Sequence, residues 1–200
     1  MPVTCEGRCK QPEDRRAILR STDEKRSSRA TRSFGSVIRW SKTLFRVQAI
    51  FLAPRDYVYT WLTDFTSRDA LITGEKYRRR IVERSTSRVV FEDLATTPAG
   101  WSWLRNVVSL QPPDRWHLEA VGNVIDARAD YLLISRGAER TELVMAWRMR
   151  PGILGGKVPP KPAIEASLRR VWQVYAAALK DDYRSTRRHK PKALSRSRQS

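Results

Sequence analysis

The chain is poor in the residues that anchor a fold from outside its core. Of its 200 residues only two are cysteine, Cys5 and Cys9, and only two are histidine, His117 and His189. A C-x3-C pair with no further cysteine and no neighbouring histidine lacks the ligands of a structural zinc site, so two reduced thiols and no metal are expected. Long apolar runs are missing as well. Nothing near the N-terminus is long enough for a signal-peptide core, and nothing approaches a membrane span. The expectation is a cytoplasmic, monomeric protein with no transmembrane segment. There is no phosphate-binding glycine loop, no dinucleotide fingerprint, no nucleophile elbow and no paired metal ligands. These absences leave no positive case for a nucleotide-dependent enzyme or a motif-bearing hydrolase, and neither a catalytic residue nor a cofactor is expected.

Positive charge is abundant. Lys and Arg number 39 against 21 Asp and Glu, a formal charge of +18. The excess is uneven: residues 1–40 carry +5, residues 41–183 carry +6, and residues 184–200 carry +7 with no acidic residue at all. Two thirds of it therefore sits at the ends. Both ends are rich in Arg, Ser and Thr with few large apolar residues, the composition of chain that cannot bury enough surface to fold. Three segments follow: a basic, disordered N-terminal segment over 1–40, one folded domain over 41–183, and a basic, disordered tail over 184–200.

Within the folded segment the periodicity changes along the chain. Residues 41–52 alternate as a strand covered on both faces. Ala53-Pro54-Arg55-Asp56 breaks it and starts a helix, with Val58, Trp61, Leu62 and Phe65 on one face, and a short helical piece over 67–72 precedes Gly74. From Glu75 onward come six strands: 75–85, 88–95, 101–110, 116–122, 129–135 and 141–149. Short turns between them predict an antiparallel meander. Gly152, Gly155 and Gly156 then link to a helix marked by Pro159, Pro160 and Pro162. Its apolar stripe is Ile164, Leu168, Val171, Trp172, Tyr175, Ala178 and Leu179. A long helix with one apolar side needs a sheet to cover it, and a curved sheet closing on a helix encloses a cavity.

This order of elements, with Val47-Gln48-Ala49-Ile50-Phe51-Leu52-Ala53-Pro54-Arg55-Asp56 opening it, Trp61-Leu62-Thr63-Asp64-Phe65 following and Trp172 and Tyr175 on the final helix, resembles the START, polyketide-cyclase and birch-pollen-allergen superfamily (SRPBCC). The resemblance covers residues 41–183. It implies an α+β helix-grip fold: a curved antiparallel sheet of about seven strands around a long C-terminal helix, with two short helices after the first strand. It also implies a cavity for lipids, polyketides or other apolar molecules, gated by loops around 71–74 and 152–157.

The expected function is accordingly binding or carrying of a hydrophobic or amphipathic small molecule, without catalysis. Strand faces and family position nominate Trp101, Trp103, Arg105, Leu143, Met145, Trp147, Leu168, Trp172 and Tyr175 as the pocket, with Arg105 as anchor for a ligand carboxylate or phosphate. Two alternatives remain open. An interaction protein would use its basic ends, and the band Arg78, Arg79, Arg80, Arg84 and Arg88, for nonspecific contact with nucleic acid or an anionic surface. A cyclase or lyase would need a polar dyad in the cavity, drawn from Arg105, His117 and Glu119. No residue spacing demands the latter.

Overall fold

The computed structural model describes residues 40, 43–97, 100–155 and 158–188. Expectations about Cys5, Cys9, His189 and the greater part of both basic ends lie outside the described residues. Ten elements follow in order: β1 (Phe45–Phe51), α1 (Arg55–Leu62), α2 (Arg68–Thr73), β2 (Tyr77–Arg84), β3 (Arg88–Thr97), β4 (Gly100–Gln111), β5 (Arg115–Gly122), β6 (Ile125–Ser135), β7 (Thr141–Pro151) and α3 (Lys161–Arg188). This is the predicted order. The final helix runs further than expected, so residues 184–188 belong to it rather than to a tail.

All seven strands form one antiparallel sheet in the order β1-β7-β6-β5-β4-β3-β2. The first strand pairs with the last, so β1 and β2 are the two edges although they follow each other in the chain. The α1–α2 segment therefore spans from one edge to the other. Helix α1 begins at Pro54, whose missing N–H would be unpaired there anyway, and α2 ends at Gly74 in the left-handed conformation that a Cβ would strain.

Register identifies the inner face. One row across the sheet is Val47, Met145, Tyr131, Trp116 and Leu110; the next is Phe45, Trp147, Ala129, Leu118, Val108 and Val89. Most of these are buried, and α3 covers them with Ile164, Leu168, Trp172, Tyr175 and Leu179. Each large side chain so enclosed contributes about 1.5–3 kcal/mol. Two clusters result. The larger joins Phe51, Val58, Phe91, Trp116, Leu133, Leu143 and Leu179; the smaller, near the start of α3, joins Phe45, Met149 and Ile164 with Trp147 and Leu168.

Strand β4 corrects the predicted facing. Val108 is fully buried and Asn106 is 3 % exposed, whereas Trp101 is 63 % exposed. Since side chains alternate, Leu104, Asn106, Val108 and Leu110 point inward, and Trp101, Trp103, Arg105 and Val107 point outward. Both faces of this strand are apolar, so hydrophobicity could not choose between them.

The helices are fastened by directed polar contacts. Trp61 Nε1 and Arg68 Nη1 both donate to Asp182 Oδ2, each at 2.7 Å, and Arg68 lies over the Trp61 ring. At the other end, Glu165 Oε1 accepts from the Arg46 N–H of edge strand β1 at 3.2 Å. The loop after β7, expected to gate the cavity, is instead pinned: Gly152 N–H donates to Val124 O at 2.9 Å and Leu154 N–H to Asn123 O at 2.6 Å. A Cβ on Gly152 or Gly155 would collide with backbone of that turn, so these glycines serve close approach rather than a moving lid.

Candidate functional site

Between the sheet, α1–α2 and α3 lie two adjoining cavities. The inner one, about 200 Å³, is walled by Leu62, Phe65, Phe91, Trp116, Leu118, Tyr131, Trp172 and Tyr175, with Asp69, Arg79, Asp93 and Asn106 as its polar groups. The outer one, about 320 Å³, shares Arg79, Asp93 and Tyr175 and adds Thr73, Glu75, Tyr77, Ala95, Ser102, Leu104 and Val171. Of its lining residues, Thr73 at the end of α2 falls within the first loop expected as a gate, 71–74.

The apolar wall is a chain of rings. Trp116 stacks on Tyr131 with centroids 4.7 Å apart, Tyr131 meets Trp172 edge-on at 6.0 Å, and Trp172 packs against Tyr175 at 5.5 Å. Rings arranged in this way add roughly 0.5–1.5 kcal/mol per pair beyond their area. They also present flat apolar surface to whatever enters.

At the junction of the cavities sits Arg79, its side chain 8 % exposed. Strand pairing sets it opposite Asp93, which it grips with two prongs, Nε to Oδ1 at 2.7 Å and Nη2 to Oδ2 at 2.8 Å. Nη1 donates to Asp69 Oδ2 on α2 and, at 3.4 Å, to Thr66 O; Nη2 also reaches the Tyr77 hydroxyl at 3.4 Å. The guanidinium lies over Phe91, 4.2 Å from its centroid. Burial disfavours its charge, but Asp93, Tyr77 and Asp69 more than offset that and hold it more firmly protonated than a free arginine. Burial raises the Asp69 carboxyl pKa, and Arg79 only partly counters it. Burial likewise pushes the Tyr77 and Tyr175 hydroxyls well above the usual phenol range, so both remain neutral donors.

Asn106 completes the polar set. Its amide Nδ2 is buried with no hydrogen-bond partner among the described residues, and the side chain lines the inner cavity. An unpaired buried donor costs about 1–3 kcal/mol. A ligand acceptor would relieve it once the amide turns toward the cavity.

Of the nine residues nominated from the sequence, Trp172 and Tyr175 line the cavities. Leu143 and Met145 are on the inner face but fully packed, and Trp147 and Leu168 belong to the smaller cluster, where Trp147 lies 5.8 Å from Phe45. Trp101, Trp103 and Arg105 are on the opposite face, with Arg105 Nη1 bound to Glu92 at 3.0 Å. Arg105 therefore does not reach the cavity as an anchor. The dyad considered for a cyclase is also outside: His117 pairs with Asp130 at 2.7 Å, and Glu119 with Arg128 at 3.1 Å, on the outer face. Conversely Arg79, expected in a basic band for contact with nucleic acid or an anionic surface, is the centre of this largely buried cluster. Its shared face with Tyr77 and Ile81 was the available signal, hidden by Arg78 and Arg80 on either side.

No family model matches the chain, and no curated protein matches it. Solved structures do. The Zhui aromatase/cyclase from Streptomyces sp. R1128 superposes with TM-score 0.57 at 18 % identity, covering 74 % of this chain and 96 % of that one. A START superfamily protein from Mycobacterium smegmatis gives TM-score 0.54 at 12 % identity over 72 % and 98 %, and Ara h 8.0201 gives 0.53 at 8 % over 68 % and 97 %. At these identities the likeness is one of fold. The chain has the helix-grip fold of the START, polyketide-cyclase and birch-pollen-allergen (SRPBCC) proteins.

Proposed function

We propose that this protein binds or carries a hydrophobic or amphipathic small molecule, aromatic or polyketide-like in body, in the space between its sheet and α3. The observation that carries this reading is the pairing of a ring-lined cavity with an unpartnered buried amide at Asn106. Apolar walls with a few directed polar groups are how small-molecule sites are built, and the outer cavity, at about 320 Å³, reaches the lower end of the roughly 300–1,000 Å³ usual for such sites. Two neighbours of the same fold bear the description aromatase/cyclase, which favours a flat ring system over an acyl chain. Trp116, Tyr131, Trp172 and Tyr175 would hold the body by stacking, and Asn106, Asp69, Asp93 and Tyr175 would orient its polar end.

The test is native mass spectrometry of protein purified from its own source, followed by denaturation and identification of what is released. A stoichiometric aromatic or polyketide-like compound supports the reading. Protein that arrives empty, and whose tryptophan fluorescence does not respond to millimolar naphthol, contradicts it.

A further inference from the structure

The polar end of the cavity has an unusual charge balance for so basic a protein. The chain as a whole is formally +18, yet among the residues lining both cavities three are carboxylates, Asp69, Glu75 and Asp93, and one is a cation, Arg79. That cation is already committed. A guanidinium has five N–H donors. Here Nε and one Nη2 hydrogen go to Asp93, the other Nη2 hydrogen points to Tyr77, and the two on Nη1 go to Asp69 and Thr66 O. An arriving carboxylate or phosphate would find no free fork to grip. It would also lie against two half-buried carboxylates in a place where water screens them only in part. The Asn106 amide and the tyrosine hydroxyls are too few donors to compensate an anion stripped of its hydration.

The carboxylates are in the opposite situation. Each ionised carboxylate offers about four lone-pair sites. Arg79 takes one on each oxygen of Asp93 and one on Asp69 Oδ2, so acceptor capacity remains on both residues. The Tyr175 hydroxyl, kept neutral by burial, belongs to a residue that lines both cavities. A hydroxyl entering here can donate to a carboxylate, and its oxygen can accept from Asn106 or a tyrosine.

We propose that the Asp69–Arg79–Asp93 cluster selects against anions: the cavity takes a neutral aromatic molecule that presents a hydroxyl, and rejects the same ring system carrying a carboxylate or phosphate. This rests on the small-molecule reading above and narrows its ligand class. The raised pKa of Asp69 agrees with it, since burial already disfavours negative charge there more than Arg79 favours it, and Asp93 and Asp64 add to that. Arg79 is thus a positioning residue that fixes the two carboxylates, not a ligand anchor.

The test compares naphthalene, naphthol and naphthoate at neutral pH by quenching of the wall tryptophans and by calorimetry, using the full chain. Naphthol is expected to bind more tightly than naphthalene and about tenfold or more tighter than naphthoate. In Asp69→Asn, which keeps the shape and removes one charge, the preference for naphthol over naphthoate should shrink several-fold. Naphthoate binding as well as naphthol in the wild type would overturn the inference while leaving the small-molecule reading intact. An unchanged preference in Asp69→Asn would overturn the role of the cluster. Failure of all three compounds to bind would overturn both.

Discussion

Arg79 and Asp93 stand directly opposite each other in the β2–β3 ladder, and their side chains close a two-pronged ion pair inside the cavity. Side-chain exposures of 8 % and 18 % put this pair largely out of water. Truncating one partner of such a pair leaves an uncompensated buried charge, at a cost of about 3–5 kcal/mol. Arg79→Met should lower the urea midpoint accordingly, because it strands both Asp93 and Asp69. A loss under about 1 kcal/mol would mean the pair behaves as an exposed one.

Asp69 gives a pH dependence of defined sign. Its pKa is raised first by burial, and Arg79 does not cancel that. A carboxyl with a raised folded pKa binds its proton more tightly in the folded chain than in the unfolded one. Its ionised form therefore costs stability above the folded pKa, and the cost disappears as pH falls through that value. Asp69→Asn should be at least as stable as the wild type at neutral pH, with its advantage shrinking as pH is lowered into the carboxylate range. Urea unfolding at a series of pH values reads this directly. A variant less stable than the wild type at neutrality would show that the contact with Arg79 outweighs burial.

Asn106 should trade stability against binding. With Nδ2 buried and unpartnered, Asn106→Leu removes an unsatisfied donor and puts apolar volume of similar size beside Trp116 and Leu118. The empty protein is expected to gain about 1–3 kcal/mol, visible as a higher midpoint. Naphthol should bind more weakly to the same variant. A variant that gains stability and keeps full affinity would remove Asn106 from the site.

These expectations were legible in the sequence to different degrees. On β7, Leu143, Met145, Trp147 and Met149 alternate with Glu142, Val144, Ala146 and Arg148, so the bulkier and wholly apolar face was the one marked for burial, and that face is the inner one. The order of elements and the apolar stripe of α3 were equally plain, because period and punctuation are local properties of the chain. On β4 they were not. Trp101, Trp103 and Val107 oppose Leu104, Val108 and Leu110, and the choice is made by pairing with β3 and β5, a long-range fact that no alternation contains. Arg79 was hidden for a related reason. Three consecutive arginines look solvated, but the pleat must turn the middle one the other way, and only Asp93 across the ladder and Asp69 on α2 make that tolerable.

The facing of β4 and β5 can be tested by a matched pair of tryptophans. Trp116 is 4 % exposed, stacks on Tyr131 and lines the inner cavity, whereas Trp103 lies on the other side of the sheet. Trp116→Ala opens a void among packed rings and should cost about 3–5 kcal/mol, with naphthol affinity lost along with the stacking surface. Trp116→Phe keeps a ring in place, and should recover much of the stability and part of the affinity, which separates a binding defect from simple unfolding. Trp103→Ala should leave naphthol affinity unchanged, because its side chain cannot reach through the sheet. Thermal melts and fluorescence titration on the three variants suffice. If Trp103→Ala abolished binding while Trp116→Phe did not alter it, the cavity between the sheet and α3 would not be where the ligand sits.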